Sequence, residues 1–378
     1  MGIPFLSKFT KKKDPEEIMI IDLGSHHVRT SVVGLPGELE ETPKQLGDNI
    51  HQFARTMMRG RYINDLDGVL DIVMHSIDHA TLSAGVQPSE VVLGLSGGAI
   101  KYCGLTVRIK RPQPDTPITQ KELDEILDRI EHETEAKATE KCGVDESWNH
   151  LGAIVTDYRL EGQFVTTPID LTGEKLECIV LHGFWEKEVH KSVDVISNQL
   201  GLEINVVWET AVTRALRIRE ERESFILVDI GGRVTELVLV SGRRVVSNLT
   251  VNIGGDDWTD RLAKEFQVNV NQAEKLKRSF QEGVLDQKRT AEAREILEEE
   301  VGDYIHMLAA AIRELKVSTD LPAVLYFSGE GANLNVVKSK VLTYPWNKDD
   351  LFVNFPHIER VTDSFTNESL YNAYALLS

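Results

Sequence analysis

Residues 225–246 read FILVDIGGRVTELVLVSGRRVV, and the way glycine breaks their apolar runs governs how the rest of the chain is read. Phe225-Ile226-Leu227-Val228 has the length and β-branched content of a buried strand. Asp229-Ile230-Gly231-Gly232 then turns the chain, and residues 235–240 climb out as a second strand. Ser241-Gly242 is a hairpin signal before a third strand at 245–249. Two glycines in a tight β-turn let backbone N–H groups approach a phosphate. A carboxylate at the lip of that turn cannot bind phosphate directly and would act through a hydrated Mg²⁺. Taken alone, the stretch is an ordinary hairpin with an Asp in its turn.

A second copy changes the odds. Ile18-Met19-Ile20-Ile21-Asp22-Leu23-Gly24-Ser25 runs into a strand at 28–33 and a Gly34/Gly37 turn. Strand, Asp-apolar-Gly, strand and glycine turn therefore occur twice in the same order, and each copy can grip one side of the same polyphosphate. A third part, residues 323–334 (AVLYFSGEGANL), is a buried-strand run that breaks into Ser328-Gly329-Glu330-Gly331 before a helix. Helix N-termini favour anionic groups.

The 378 residues are enough for two lobes or several subdomains with ample core. Hydrophobic content of 41% and charged content of 27% are those of a globular protein, and a net charge of −18 argues against general nucleic-acid binding. Cys103, Cys142 and Cys178 lack metal spacing and read as free thiols of a reducing compartment, which places the chain in the cytoplasm. No apolar run approaches a membrane span. Residues 1–13, MGIPFLSKFTKKK, set Ile3, Phe5, Leu6 and Phe9 before a Lys cluster. That composition suits an anionic bilayer surface, and equally a solvated tail.

Along the chain, residues 66–83 have helical periodicity, with Asn64 or Asp65 as cap. His75 and His79 lie one turn apart, but with no third ligand they read as a solvated face. Strands at 91–95 and 105–109 lead to a charged helix, 120–140, with Thr119 and Glu122 as a capping box. Strands at 152–160 and 164–167 complete a small α+β insert, assigned to 89–172. Glu209 follows a short strand at 204–208 and begins a helix over 210–222. It is placed to orient a water, or equally to satisfy a helix N-terminus. Gly254 and Gly255 form another glycine turn before a helix at 258–266. Glu274 and Lys277 share one face of the next helix, and residues 290–316 read as one long helix. The tail at 370–377 is expected to be a final helix.

The two Asp-Gly hairpins, Glu209 and the Ser-Gly-Glu-Gly-Ala turn together resemble the phosphate-1, connecting, phosphate-2 and adenosine motifs of the actin-like ATPases. The resemblance extends to the bacterial cell-division family FtsA across nearly the whole chain. It includes Arg59-Gly60-Arg61-Tyr62-Ile63-Asn64-Asp65, VVLGLSGGAI (91–100), Ile118-Thr119-Gln120-Lys121-Glu122-Leu123, and YRLEGQFVTTPIDLTG (158–173) leading into Leu176-Glu177. The sister family is PilM of type IV pilus assembly, which the N-terminal segment and Glu209 resemble more. The resemblance implies an α/β, two-lobed actin-like fold, a duplicated ribonuclease H-like core with an inserted α+β subdomain of the 1C type. Its expected divisions are 16–88 and 173–222 for lobe 1, 223–344 for lobe 2 and 345–378 for a return to lobe 1.

The ligands so implied are ATP and Mg²⁺. Asp22 and Asp229 would hold the hydrated metal from opposite lobes. Gly24, Ser25 and His26 would lie against the phosphates, as would Gly231, Gly232 and Thr235. Glu209 would orient the attacking water. Glu274 and Lys277 would reach ribose and adenine, while Gly329, Gly331 and Asn333 would shape the adenine floor. The implied partners are the tubulin-like division protein FtsZ or, on the PilM side, a PilN-type peptide. Self-association into filaments through the insert and attachment of residues 1–13 to the inner face of the cell membrane also follow.

Several residues depart from the FtsA pattern. His27 stands where a Lys is common, and a neutral imidazole is a poorer phosphate counter-charge, which points to slow or absent hydrolysis. Arg233 and Glu330 each replace a glycine. Between Gly283 and Thr290 the chain is short, so the strands of subdomain 2B are expected to be largely missing. A sugar or acetate kinase on the same core is the weakest reading, because no small-substrate acid/base set is evident.

Overall fold

The computed structural model describes residues 17–35, 43–315, 321–348 and 351–361. The Lys-rich segment at 1–13 and the expected helix at 370–377 lie outside the described residues. Lobe 1 opens with an antiparallel meander, β1 (Glu17–Leu23), β2 (His27–Gly34) and β3 (Lys44–Gln52). A short ribbon, β4 (Met58–Arg59) with β5 (Tyr62–Ile63), leads into α1 (Leu66–Ala84). The Asp65 side chain accepts from Gly68 N to start α1, and Gly85 ends it at φ 72°, where a Cβ is unwelcome. With α1 as its crossover, β6 (Glu90–Leu95) returns parallel to β1.

The insert comprises β7 (Ile100–Lys110), α2 (Gln120–Cys142), β8 (Trp148–Leu160), β9 (Gln163–Val165) and β10 (Lys175–Glu186). Lobe 1 resumes with α3 (Lys187–Leu200), β11 (Ile204–Glu209) and α4 (Thr210–Ile218). Lobe 2 repeats the opening meander as β12 (Phe225–Ile230), β13 (Thr235–Ser241) and β14 (Arg244–Val251). Then come α5 (Gly255–Phe266), α6 (Val270–Glu282), α7 (Gln287–Glu314), β15 (Val324–Ser328), α8 (Asn335–Thr343) and β16 (His357–Arg360).

Among the described residues the first sheet runs β11-β6-β1-β2-β3 and the second runs β16-β15-β12-β13-β14-β7-β10-β8-β9. The first five strands of the second sheet retrace the first sheet, two parallel neighbours on one side of the meander and its own hairpins on the other. The register agrees too. Asp22 faces Arg29 across its hairpin and Gly94 on the parallel strand, while Asp229 faces Glu236 and Ser328. The duplication read from two Asp-Gly turns is thus a duplication of whole half-sheets.

Each unit has its own core. Ile20, Val69, Val92 and Trp208 centre that of lobe 1, and Trp258, Leu297, Ile305 and Phe327 that of lobe 2. Ile118, Leu123, Leu176 and Cys178 fill the insert.

Several expected boundaries shift. β6, assigned to the insert, is a central strand of lobe 1, and β10, assigned to lobe 1, sits between β7 and β8 in the insert's sheet. Both strands are apolar throughout, and such runs do not reveal which sheet they complete. The capping box of α2 is half formed, since Thr119 accepts from Glu122 N while the Glu122 carboxylate turns to the buried Arg111. α4 stops at Ile218, where Arg219 turns its guanidinium to Asp157. α5 begins at Gly255, three residues before the expected start, because its first N–H groups dock on the carbonyls of Gly231 and Gly232. No strand lies between β14 and β15 among the described residues.

Candidate functional site

The two Asp-Gly turns close alike. Gly24 N donates to His27 O at 3.0 Å, and Gly231 N donates to Val234 O at 2.9 Å. They face each other, for a Cβ added to Gly232 would lie 3.3 Å from His26 Cβ. Asp22, Gly24, Ser25, His26, Asp229, Gly231 and Gly232 all line one cleft of about 510 Å³, a volume suited to a small ligand. Gly255, Glu274, Lys277, Gly329, Gly331 and Asn333 line the same cleft. Gly329 has φ 84°, and a Cβ there would lie 2.3 Å from Ile230 O, so the turn after β15 accepts only glycine without strain.

At the floor, α4 reaches both acids. Thr210 Oγ1 donates to Asp22 Oδ1 at 2.8 Å. One turn further on, the Arg214 guanidinium is ion-paired with Asp229 Oδ2 and donates to Ser328 Oγ at 3.1 Å. The other Asp229 oxygen faces Gly329, where a Cβ would come within 2.6 Å of it. The Asp229 side chain is 12% exposed. A hydrated divalent ion needs an open carboxylate and room for its waters. Asp229 and Asp22 each have one oxygen engaged, by Arg214 and Thr210, and both line the cleft in which the expected hydrated Mg²⁺ would lie.

Glu209, expected to orient a water, does not line the cleft and is fully buried. Its carboxylate accepts from Gly98 N at 2.9 Å and Ile100 N at 2.8 Å, tying the entry of the insert to the end of β11. Burial pushes its pKa up, against hydrogen bonds from Glu236, Ile100 N and Gly98 N. The partner that does line the cleft is Glu236 on β13. Burial, and then the repulsion of Glu209 across their shared hydrogen bond, raises Glu236 well above the usual carboxylate range. Two carboxyls this deeply buried beside each other resist being ionised together.

Thr235 and Gly254 also stand back from the cleft. Thr235 Oγ1 bonds Ile253 O at 2.9 Å and the Tyr304 hydroxyl at 3.1 Å. Gly254 is a packing glycine, since a Cβ would meet Gly231 O at 2.6 Å. Lys277 Nζ donates to Gly255 O at 2.8 Å and Thr259 Oγ1 at 2.7 Å, and pairs with Glu274 at 2.9 Å.

At the mouth Asp256 gathers basic side chains from both lobes. Arg233 Nε lies 3.0 Å away, Arg55 Nη2 3.2 Å and His26 Nδ1 3.7 Å. Burial works to raise its pKa, but His26, Arg55 and Arg233 outweigh it and hold the carboxyl below the usual range. Arg233 also donates from Nη2 to Arg55 O at 3.2 Å, so Arg233 and Asp256 together clasp lobe 2 to lobe 1.

No protein-family model matches the sequence. The chain is 22% identical over 266 residues to the cell division protein FtsA of Neisseria meningitidis serogroup B. That match takes in 69% of this chain and 60% of the relative, so the chain spans about three fifths of the length of the curated relatives it matches. Among solved structures, the PilM-PilN type IV pilus biogenesis complex superposes with a TM-score of 0.60 at 18% identity, covering 96% of this chain and 99% of that one. MreB 5 of Spiroplasma citri bound to AMPPNP does so at 0.51 and 11%, covering 97% and 96%. The chain has the actin-like ATPase fold. Both the two-lobed α/β class and the likeness to FtsA and PilM hold.

Within the actin-like fold, the cleft residues that sequence reasoning missed include Arg214, Glu236 and Asp256. Thr210 and Arg214 stand at i and i+4 just after Glu209, a spacing that puts both on one helix face. Glu236 is the single charge in the strand TELVLVS. Either signal was available. Asp256 gave none, because its partners come from three separate segments.

Proposed function

We propose that the chain is an ATP-binding switch on the FtsA pattern. Nucleotide draws the two lobes together, and the closed form self-associates through its insert and tethers a division filament to the inner face of the cell membrane. Residues 1–13 are the lipid contact in this reading, and the tubulin-like division protein is the partner. One observation carries the nucleotide part: duplicated glycine turns, each with an Asp at its lip, open into the same cleft. The AMPPNP bound by the MreB 5 structure supports the ligand class. ATP serves as a conformational ligand more than a fuel, because a ligand shifts an equilibrium by its differential contacts with the two states. His27 in place of a lysine and the sealed Glu209 both favour slow hydrolysis.

A PilM-like adaptor, docking a short peptide of a membrane partner, is the second reading. The nearly complete mutual coverage with the PilM-PilN structure favours it, whereas the FtsA match leaves two fifths of that relative unmatched. Melting of the full chain with and without ATP, followed by pull-down on an FtsZ C-terminal or a PilN N-terminal peptide, tests both. ATP at a hundred times its Kd is expected to stabilise by about 2.7 kcal/mol, with capture by the FtsZ peptide. No ATP shift removes the nucleotide reading, and capture by the PilN peptide alone replaces FtsA with PilM.

A further inference from the structure

We propose that Cys103 and Cys142 are a redox-active pair, which a peroxide or a low-molecular-weight disulfide closes into a reversible disulfide that pins the end of α2 to β7. Far apart in sequence, the two meet inside the insert. Cys103 of β7 is buried among Leu105, Ala138 and Phe184, and Cys142, the last residue of α2, packs against that cluster. The chain on either side fixes the approach. Lys141 Nζ donates to Gly104 O at 2.9 Å, and Gly143 ends the helix at φ 59°, where a Cβ is unwelcome. Between these anchors the Cys142 thiol donates a hydrogen bond to the Cys103 sulfur. Both are free thiols, and Cys142 is only half-buried, which leaves the pair one open side.

The hydrogen bond from Cys142 lowers the Cys103 pKa against the effect of burial, and Lys141, Arg244 and Lys137 lower it further. The thiolate is the nucleophile in disulfide chemistry. It attacks one oxygen of hydrogen peroxide, so that an S–O bond forms as the O–O bond breaks. The departing hydroxide leaves as water with the Cys142 proton. The Cys142 thiolate then attacks the Cys103 sulfur, forming the S–S bond and expelling hydroxide, which takes the proton Cys103 gave up. Two thiols lose two electrons and two protons, and the peroxide becomes two waters. A small-molecule disulfide reaches the same bond by exchange and leaves as two thiols. Cys178 supplies the contrast, for it lies in the insert's other core with Ile118, Leu123 and Leu176, and burial pushes its thiol up to about 12. Cys103 is also the residue of β7 that pairs with Ser247 of β14, so the new bond stiffens the insert where its sheet joins that of lobe 2.

The test treats the full chain with hydrogen peroxide and, separately, with oxidised glutathione. Free thiols are then alkylated in denaturant, cross-linked peptides are mapped by mass spectrometry, and Tm is compared before oxidation, after it and after dithiothreitol. The expected product is one chain in which Cys103 is joined to Cys142 and Cys178 is alkylated. Its Tm is expected to rise by at least about 2 °C and to return with dithiothreitol. Cys142→Ser is expected to form no such bond and to keep its Tm in oxidant. Survival of both thiols overturns the proposal, as does a sulfinic acid or glutathione adduct at either one without the cross-link. A bond to Cys178 or between two chains overturns it as well, and a Cys103–Cys142 bond with unchanged Tm overturns the pinning of α2. If Cys142→Ser does not fold, the mapping of the wild-type chain decides alone.

Discussion

Where lobe 1, the insert and lobe 2 meet, Glu209 and Glu236 are buried together with room for one negative charge. The sign of the consequence follows from linkage. Glu236 has its folded pKa raised above an ordinary 4.5, so the stability it contributes is complete below about pH 4.5 and is lost as pH climbs toward its folded value. Glu236→Gln keeps the hydrogen bond and has no proton to release. Its urea-unfolding free energy, minus that of the wild type, is expected to rise as pH increases from 4.5 to 8. A flat difference would mean that burial beside Glu209 does not raise Glu236 in the folded protein. Asp22 and Asp229 could be read from sequence because each ends an apolar run that continues into glycine. Glu209 was legible as a position but not as a role, since its binding partners, Gly98 N and Ile100 N, come from a distant loop.

At the level of elements, the insert has an acid-sensitive joint. His182 on β10 is wholly buried, with Nε2 bonded to Thr134 Oγ1 of α2 at 2.8 Å and Nδ1 3.1 Å from His150 Nε2 of β8. Glu135 stands 3.6 Å from His150 on the outer side. Burial, then the neighbouring His150, pushes His182 down to about 4. Its stabilising effect is full above about pH 6.5 and is lost as pH falls toward 4, because the unfolded chain takes up a proton that the folded one refuses. Between those limits His182→Gln should be spared a loss of about 2–3 kcal/mol, measured by denaturant unfolding at pH 7 and 4.5. Equal acid losses in both proteins would contradict this. Helices and strands were legible to within a few residues wherever capping and periodicity agreed, as in α1 and α2. Sheet membership was not, since the apolar residues of β6 and β10 fit either sheet and only long-range pairing settles the matter.

At the scale of the whole molecule, three units are tied at one ionic node. Asp157 of β8 takes Arg219 Nη1 at 2.5 Å and Arg243 Nε at 3.1 Å, one from the end of α4 and the other from the turn between β13 and β14. Arg243 also reaches Glu220 at 2.8 Å. Removing the central carboxylate leaves two guanidinium groups without their shared partner. Asp157→Ala is expected to destabilise by about 3–5 kcal/mol, read from the midpoint of thermal or urea unfolding, and a change within about 0.5 kcal/mol would show the node to be incidental.

A few residues from that node, β14 meets β7 at Ser247 and Cys103. The Asn248 amide completes the seam, accepting from Tyr102 N at 2.7 Å and donating to Ile100 O at 2.8 Å. The insert is therefore spliced by covalent chain to one lobe and by β-ladder to the other, a strut across the hinge. Any gape of the jaws has to strain that seam, beside which Gly97 and Gly98 hold φ values of 88° and 74° that only glycine takes readily. A macromolecule clamped on the outer subdomain would then stiffen the hinge and slow the escape of whatever the jaws hold. By reciprocity, a filled cleft would tighten that outer grip by the same factor.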